Sequence, residues 1–313
     1  KCKSASSLMS IDEAAKRFNS FLTTGIYQFH CPDILFVDPV RILNRSYTRF
    51  QVSPAAYYSR FFHSDAPAFR DPEDTLIDSN TKKRKRKGKI LKENAQPMNA
   101  VEEAANIRHQ KARPMLAKAH EFLLMDRRIL EATNSFRNNA SPKRVTNEDP
   151  FVELSQVWQA PLYEITLNLD LPHNDSNEAV KSVVPLFNNF VRNTTKEEVE
   201  ADFLGNKYLI PKQSKVFTSD LSEIGNIIPG KPDDGYNIII IDPPWENASA
   251  SQKRRYNTLP NRYFLGIPVM QLAHSDGALV ALWVTNKEKL RKFVENELFP
   301  CWGVSYAATL YWL

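Results

Sequence analysis

Cysteine, glycine and long apolar runs are all scarce in this chain. Its three cysteines, Cys2, Cys31 and Cys301, stand far apart over 313 residues, with no Cys-x-x-Cys pair and no clustering of the six histidines. That pattern argues against a disulfide framework and against a zinc site, and fits thiols kept reduced. Only nine glycines occur, with no Gly-x-Gly in any register, so a Gly-rich cofactor-binding loop is missing. No stretch approaches the roughly 18 consecutive apolar residues that a membrane-spanning helix needs. Neither sign of charge dominates: 41 basic against 36 acidic residues give a net +5, a mild lean towards a polyanionic partner. The length leaves room for two domains.

What is present is concentrated in one octapeptide. Residues 238–245 read Ile-Ile-Ile-Ile-Asp-Pro-Pro-Trp. An unbroken apolar run before an abrupt polar turn predicts a strand buried on both faces, as in a parallel sheet. Asp242 then falls at the strand's carboxyl end, where open α/β sheets place ligand crevices. Pro243 and Pro244 have no N–H and fix φ, so the turn is expected to be rigid and to offer acceptors only, one carboxylate and a prolyl carbonyl. Trp245 adds a flat face on which a purine could stack. An exocyclic amine, with two hydrogens to donate, suits such a turn. The plainer alternative is a surface Asp-Pro turn with Trp245 packed beneath it.

The rest of the chain is less pointed. Ser10-Ile-Asp-Glu13 forms a capping box ahead of a helix reaching about Leu22, and residues 34–37 are β-like. Residues 82–87, Lys82-Lys-Arg-Lys-Arg-Lys87, cannot pack together and read as a nuclear-import signal, or more blandly as a solvated linker. Residues 99–136 are helical in pattern, with Pro114 expected to kink the helix. Arg108 and the other basic residues there are read by default as solvated helix surface. Further helix starts are predicted at 175–178 and 195–198, with Gly205 as a stop. From residue 207 strands are expected at 208–210, 215–217, 236–241, 278–284 and 304–312, with an amphipathic helix over 287–298. Strand, helix, strand in that order implies a parallel sheet with a right-handed crossover. Sequons at Asn44, Asn193 and Asn247 are read as coincidences.

The Asp-Pro-Pro-Trp turn, with Phe217-Thr-Ser-Asp220 before it and Trp283-Val-Thr-Asn286 and Glu297-Leu-Phe-Pro-Cys-Trp302 after it, resembles the MT-A-70 family of adenine methyltransferases, and within it the methyltransferase-like protein 4 branch. The likeness is strong over about the last third of the chain. It implies a permuted Rossmann-like α/β sheet and S-adenosylmethionine as methyl donor, with RNA, small nuclear RNA in particular, as substrate, and adenine in DNA as a further one. It implies no metal and a protein acting as a monomer, while the basic run Lys82–Lys87 points to the nucleus, with the cytosol as a further location. Carried over residue by residue, Asp242, Pro243, Pro244 and Trp245 are the catalytic turn, and Asp220, Leu221 and Asp242 meet the cofactor. Lys253, Arg255 and Tyr256 fall in the loop that gates substrate in the family; Asn286, ending a predicted strand at the same sheet edge, is read either as a substrate contact or as an N-cap for the helix from Lys287. The alternative is a non-catalytic, nucleic-acid-binding member of the family. The expected organisation is an amino-terminal region over 1–80, a basic linker over 81–98, a mainly helical region over 99–205 and a partial methyltransferase domain over 206–313. In this family most cofactor contacts follow the catalytic turn. The sheet is therefore expected to be incomplete at its carboxyl end, with no measurable cofactor binding by residues 1–313 alone. The start at Lys1 likewise leads us to expect a natural start upstream.

Overall fold

The computed structural model describes residues 11–31, 33–58, 100–134, 151–169, 180–246 and 258–313. The chain divides into two compact units, residues 1–99 with 113–148 and residues 100–112 with 149–313. The basic run 82–87 lies outside the described residues.

The first unit opens with helix α1 (Ile11–Thr24), ended by Gly25 at φ +75°, whose N–H donates to the Phe21 carbonyl at 2.8 Å. A side chain at Gly25 would collide with Ile42 and the Asp38 carbonyl, so the left-handed stop that favours glycine is doubly required here. Strands β1 (Ile26–Gln28) and β2 (Leu35–Val37) pair antiparallel, and Asp38 caps helix α2 (Pro39–Ser46) by accepting from the Val40 and Arg41 amides. Short helix α3 (Pro54–Tyr58) returns the Tyr58 hydroxyl to the same Asp38 carboxylate at 3.0 Å. Phe21, Tyr27, Phe29, Ile34 and Ile129 form the core. Cys31 is buried among them and disulfide-bonded, which corrects the expectation of free thiols throughout.

Helix α4 (Ala100–Met125) contributes residues to both units and runs through Pro114 without ending. The break comes at Asp126, which caps α5 (Arg127–Asn134) by accepting from the Ile129 amide at 3.2 Å.

The second unit departs from the expected helical region. After α6 (Phe151–Gln156) come six strands: β3 (Glu164–Leu169), β4 (Val180–Pro185), β5 (Phe190–Asn193), β6 (Val199–Phe203), β7 (Asn206–Ile210) and β8 (Ser214–Phe217). They form an antiparallel sheet in the order β4-β3-β6-β7 and a separate antiparallel ribbon of β5 with β8. The helix expected from 195 is strand β6, because Val199, Ala201 and Phe203 alternate into the core while Glu200 and Asp202 do not. A period of two outweighs the capping-box pattern before it. Thr195 closes a local turn instead, its N–H donating to Asn193 Oδ1 at 2.9 Å. Gly205 (φ +78°), with Leu204 (φ +49°), makes the two-residue β6–β7 hairpin and ends no helix. Asn193 is buried, and its amide donates to three backbone carbonyls, so that sequon is structural.

Strands β9 (Ile238–Ile241) and β10 (Leu279–Leu282) then pair in parallel, Ile238 opposite Leu279 and Ile241 opposite Leu282. The chain is thus mixed α and β, with a parallel pair where the apolar run predicted one. The helix expected over 287–298 is Glu288–Phe293 continuing as a π-helical turn Val294–Leu298. The strand expected over 304–312 is absent; those residues are irregular and find no ladder partner among the described strands.

Candidate functional site

Strand β9 is anchored at its start. Tyr236 N–H donates to the Leu272 carbonyl at 2.8 Å and His274 N–H to the Tyr236 carbonyl at 3.2 Å. A Cβ on Gly235 would lie 2.5 Å from the Ala273 carbonyl oxygen, so only glycine permits this approach. Ile239 and Ile241 then point with Val280 and Leu282 into a core containing Phe264, Val269, Leu290, Leu298 and Trp302. The opposite face is open: Ile238, Ile240 and Leu279 are 61%, 68% and 61% exposed. This corrects the expectation of a strand buried on both faces. Four consecutive apolar residues state what each face can bury, not what lies against it.

The chain leaves β9 at Asp242, which is exposed and takes no hydrogen bond or ion pair among the described residues. The turn behind it is closed by its own backbone. Trp245 N–H donates to the Pro243 carbonyl at 2.8 Å, a three-residue turn centred on Pro244. Leu259 N–H donates to the Pro244 carbonyl at 3.0 Å, and Glu246 N–H to Asn261 Oδ1 at 3.1 Å. The prolyl carbonyl expected to face a ligand therefore already accepts a backbone bond, as does the one that follows it.

Trp245 likewise differs from expectation. It is 6% exposed, packs edge-on against Phe264 with ring centres 5.0 Å apart, and donates Nε1–H to the Trp283 carbonyl at 2.7 Å. The face expected to stack a base is covered by protein. The ring braces the turn onto the residue that follows β10, fixing Asp242 relative to both strand ends. Asp242 is thus the one group of the turn that is both polar and presented.

Asp220 caps the 3₁₀ turn Leu221–Ile227, accepting from the Ser222 amide at 2.9 Å. That hydrogen bond holds its carboxyl below the usual carboxylate range. Leu221 packs against the β9–β10 core. Asn286 does not cap the helix that follows it; its Oδ1 accepts from the Arg291 guanidinium at 3.2 Å. Lys253, Arg255 and Tyr256 fall within 247–257 and lie outside the described residues. Trp302, with Nε1–H donating to the Phe264 carbonyl at 3.0 Å, is core. No group of three or more potential metal ligands exists among the described residues.

Two arrangements escaped the sequence reading. Arg108 joins Glu288 at 3.1 Å and Glu295 at 2.7 Å, clasping the helix after β10. Glu295 above all holds the guanidinium on Arg108 above its usual range. The β5–β8 ribbon sets Arg192 opposite Lys215 beside a cleft. Alternation in Phe190-Val-Arg-Asn and Lys215-Val-Phe was the available signal.

The parallel pair β9–β10 thus ends at an exposed aspartate on a braced Pro-Pro-Trp turn. Residues 236–313 match the family described as MT-A70. Over 129 residues the chain is 36% identical to the N(6)-adenine-specific methyltransferase METTL4 of Mus musculus, covering 41% of this chain and 26% of that protein. It is 33% identical over 128 residues to the human METTL4, covering 41% of this chain and 26% of that protein. It is also 32% identical over 126 residues to the DNA N6-methyl methyltransferase of Caenorhabditis elegans, covering 40% of this chain and 33% of that protein. The chain therefore spans about a quarter to a third of the length of these relatives. The segment 236–313 is MT-A70-like, with METTL4 proteins among its relatives.

Proposed function

We propose that this chain carries the catalytic turn of an S-adenosylmethionine-dependent N(6)-adenine methyltransferase acting as a monomer on RNA, with the N(6) position of 2′-O-methyladenosine in small nuclear RNA as its target. The permuted Rossmann-like sheet of that class is part of the same reading. The observation that carries it is Asp242: an exposed carboxylate at the end of a parallel strand, without a partner among the described residues, on a turn whose prolyl carbonyls already accept backbone bonds.

The lone pair of adenine's exocyclic amine is delocalised into the ring, which makes the nitrogen a poor nucleophile. Asp242, by accepting one of its hydrogens, draws the nitrogen towards tetrahedral geometry and then receives the proton. Pro243, Pro244 and Trp245 hold that carboxylate in place, so the gain is one of positioning and electrostatics. Bound S-adenosylmethionine supplies an electrophilic methyl group on a sulfonium. The exposed carboxylates of Asp220 and Asp242 suit a ligand carrying a sulfonium and an ammonium, and Leu221 offers apolar contact beside them. Lys253, Arg255, Tyr256 and Asn286 remain candidates for the substrate, two of them cations suited to phosphates. DNA adenine is the second reading, favoured by the name of the nematode relative. Nuclear import through residues 82–87 fits either.

The test is transfer of labelled methyl by the protein to matched RNA and DNA strands, parent against Asp242→Asn. Transfer to adenine-bearing RNA, abolished in the variant with the fold retained, is expected. Variant activity within a few-fold of the parent overturns the reading.

A further inference from the structure

The β5–β8 ladder sets Phe190 opposite Phe217 and Arg192 opposite Lys215. These four share one face, because the intervening Val191 and Asn193 are buried on the other. The two rings stack with centres 4.7 Å apart, and the Arg192 guanidinium lies over Phe190 at 5.1 Å. Like charges placed directly opposite in a ladder destabilise it, and neither cation has an ion pair among the described residues. A pair of unneutralised cations on a short ribbon is accounted for if an anion completes it.

The ribbon lines a cleft of about 730 Å³ that Gln213, Asn226 and Tyr236 also line. Asp234 also lines it, so two cations face one carboxylate and the cleft keeps a net positive charge. Tyr236 is 45% exposed, an aromatic ring available to an unpaired base. It also stands six positions before Asp242 along the chain that forms β9. At the usual rise of a strand that separates cleft from catalytic turn by about 20 Å. One nucleotide cannot occupy both places; an extended strand can.

We infer that this cleft is a docking groove for single-stranded polynucleotide, gripping phosphates between Arg192 and Lys215 and a base against Tyr236, apart from the Asp242 turn. The inference extends the methyltransferase reading by giving its substrate a second hold. It is a single-strand site because stacking on Tyr236 needs an exposed base face, which a duplex does not offer.

Fluorescence anisotropy of labelled oligouridylate tests it, since that probe has no adenine and cannot be methylated. Oligothymidylate and an RNA duplex are the comparison arms. Arg192→Gln with Lys215→Gln should weaken oligouridylate binding about tenfold and flatten the salt dependence by roughly one to two units, at about 0.7 per lost phosphate contact. Relieving like-charge opposition should leave the thermal midpoint unchanged or raise it. Tyr236→Ala should weaken both single strands while leaving the salt slope intact. Oligothymidylate bound as well as oligouridylate assigns the groove to either polynucleotide; tighter oligouridylate assigns it to RNA. Equal affinity for the duplex overturns the proposal. So does an unchanged affinity and salt slope in the double variant. If that variant loses its fold, Lys215→Gln alone decides, and an unaltered slope there overturns the groove. An active enzyme with variant-insensitive oligouridylate binding defeats this inference alone, whereas an inactive protein with variant-sensitive binding defeats the methyl-transfer reading alone.

Discussion

At the scale of single residues, Asp242 and Trp245 separate function from stability within four positions. Asp242 is exposed and takes no bond among the described residues, so its loss should cost at most about a few tenths of a kcal/mol of stability, as at ordinary surface sites. Asp242→Ala is therefore expected to abolish methyl transfer while its urea midpoint stays with the parent. Trp245 is the reverse. Its ring fills core beside Phe264 and its indole N–H closes on Trp283. Trp245→Ala should destabilise the protein by about 3–5 kcal/mol, the usual cost of deleting a buried aromatic, and should reduce activity chiefly through that loss. Chemical denaturation checks it: a variant as stable as the parent but unable to bind substrate would return Trp245 to a stacking role. The Asp-Pro-Pro-Trp turn was legible in sequence because proline constrains its neighbours whatever surrounds them. The role of Trp245 was not legible, since the same indole suits a base or a core and only its surroundings decide.

At the scale of elements, the helix after β10 is held by a clasp rather than by its apolar stripe alone. Arg108 reaches both Glu288, whose side chain is 5% exposed, and Glu295, at 41%. Arg108→Met would leave the buried Glu288 carboxylate unsatisfied at a cost of about 1–3 kcal/mol, measurable by urea unfolding at neutral pH. The exposed Glu295 arm adds little to that figure, because solvent screens it. It does add a pH signature. Arg108 holds the Glu295 carboxyl below its ordinary value of 4.5. A carboxyl depressed in the folded state stabilises above its unfolded value, and that contribution fades as pH falls through the lower folded one. The parent should thus lose stability more steeply than Arg108→Met as pH drops below about 4.5. Parallel acid limbs in the two proteins would show that the ion pair has no such linkage. Strands β7, β8, β9 and β10 were readable because short β-branched or aromatic runs stood between turn residues. Strand β6 was misread, since Thr195-Lys-Glu-Glu198 imitates a helix start, whereas the alternation of Val199, Ala201 and Phe203 was the physically stronger signal. The clasp lay beyond sequence reading: Arg108 and Glu288 are 180 positions apart.

At the scale of the whole molecule, mild positive charge is unevenly spent. Residues 82–87 hold six consecutive cations of the 41 in the chain, at a distance in sequence from the Asp242 turn. Deleting them should move a fluorescent fusion from nucleus to cytoplasm and leave methyl transfer in vitro unchanged. Unaltered nuclear accumulation would show that import rests on another segment.

The bond from Trp245 Nε1 to the Trp283 carbonyl also gives the protein an optical gauge of its own site. Of the five tryptophans, Trp158, Trp283 and Trp312 are 80%, 49% and 73% exposed, whereas Trp245 and Trp302 are buried. In a Trp302→Phe background the short-wavelength part of the emission would belong to Trp245. Any event that loosens the Asp242–Trp245 turn would then wet that indole and shift its light to the red. Opening of the turn could be timed in this way in a protein carrying no label at all.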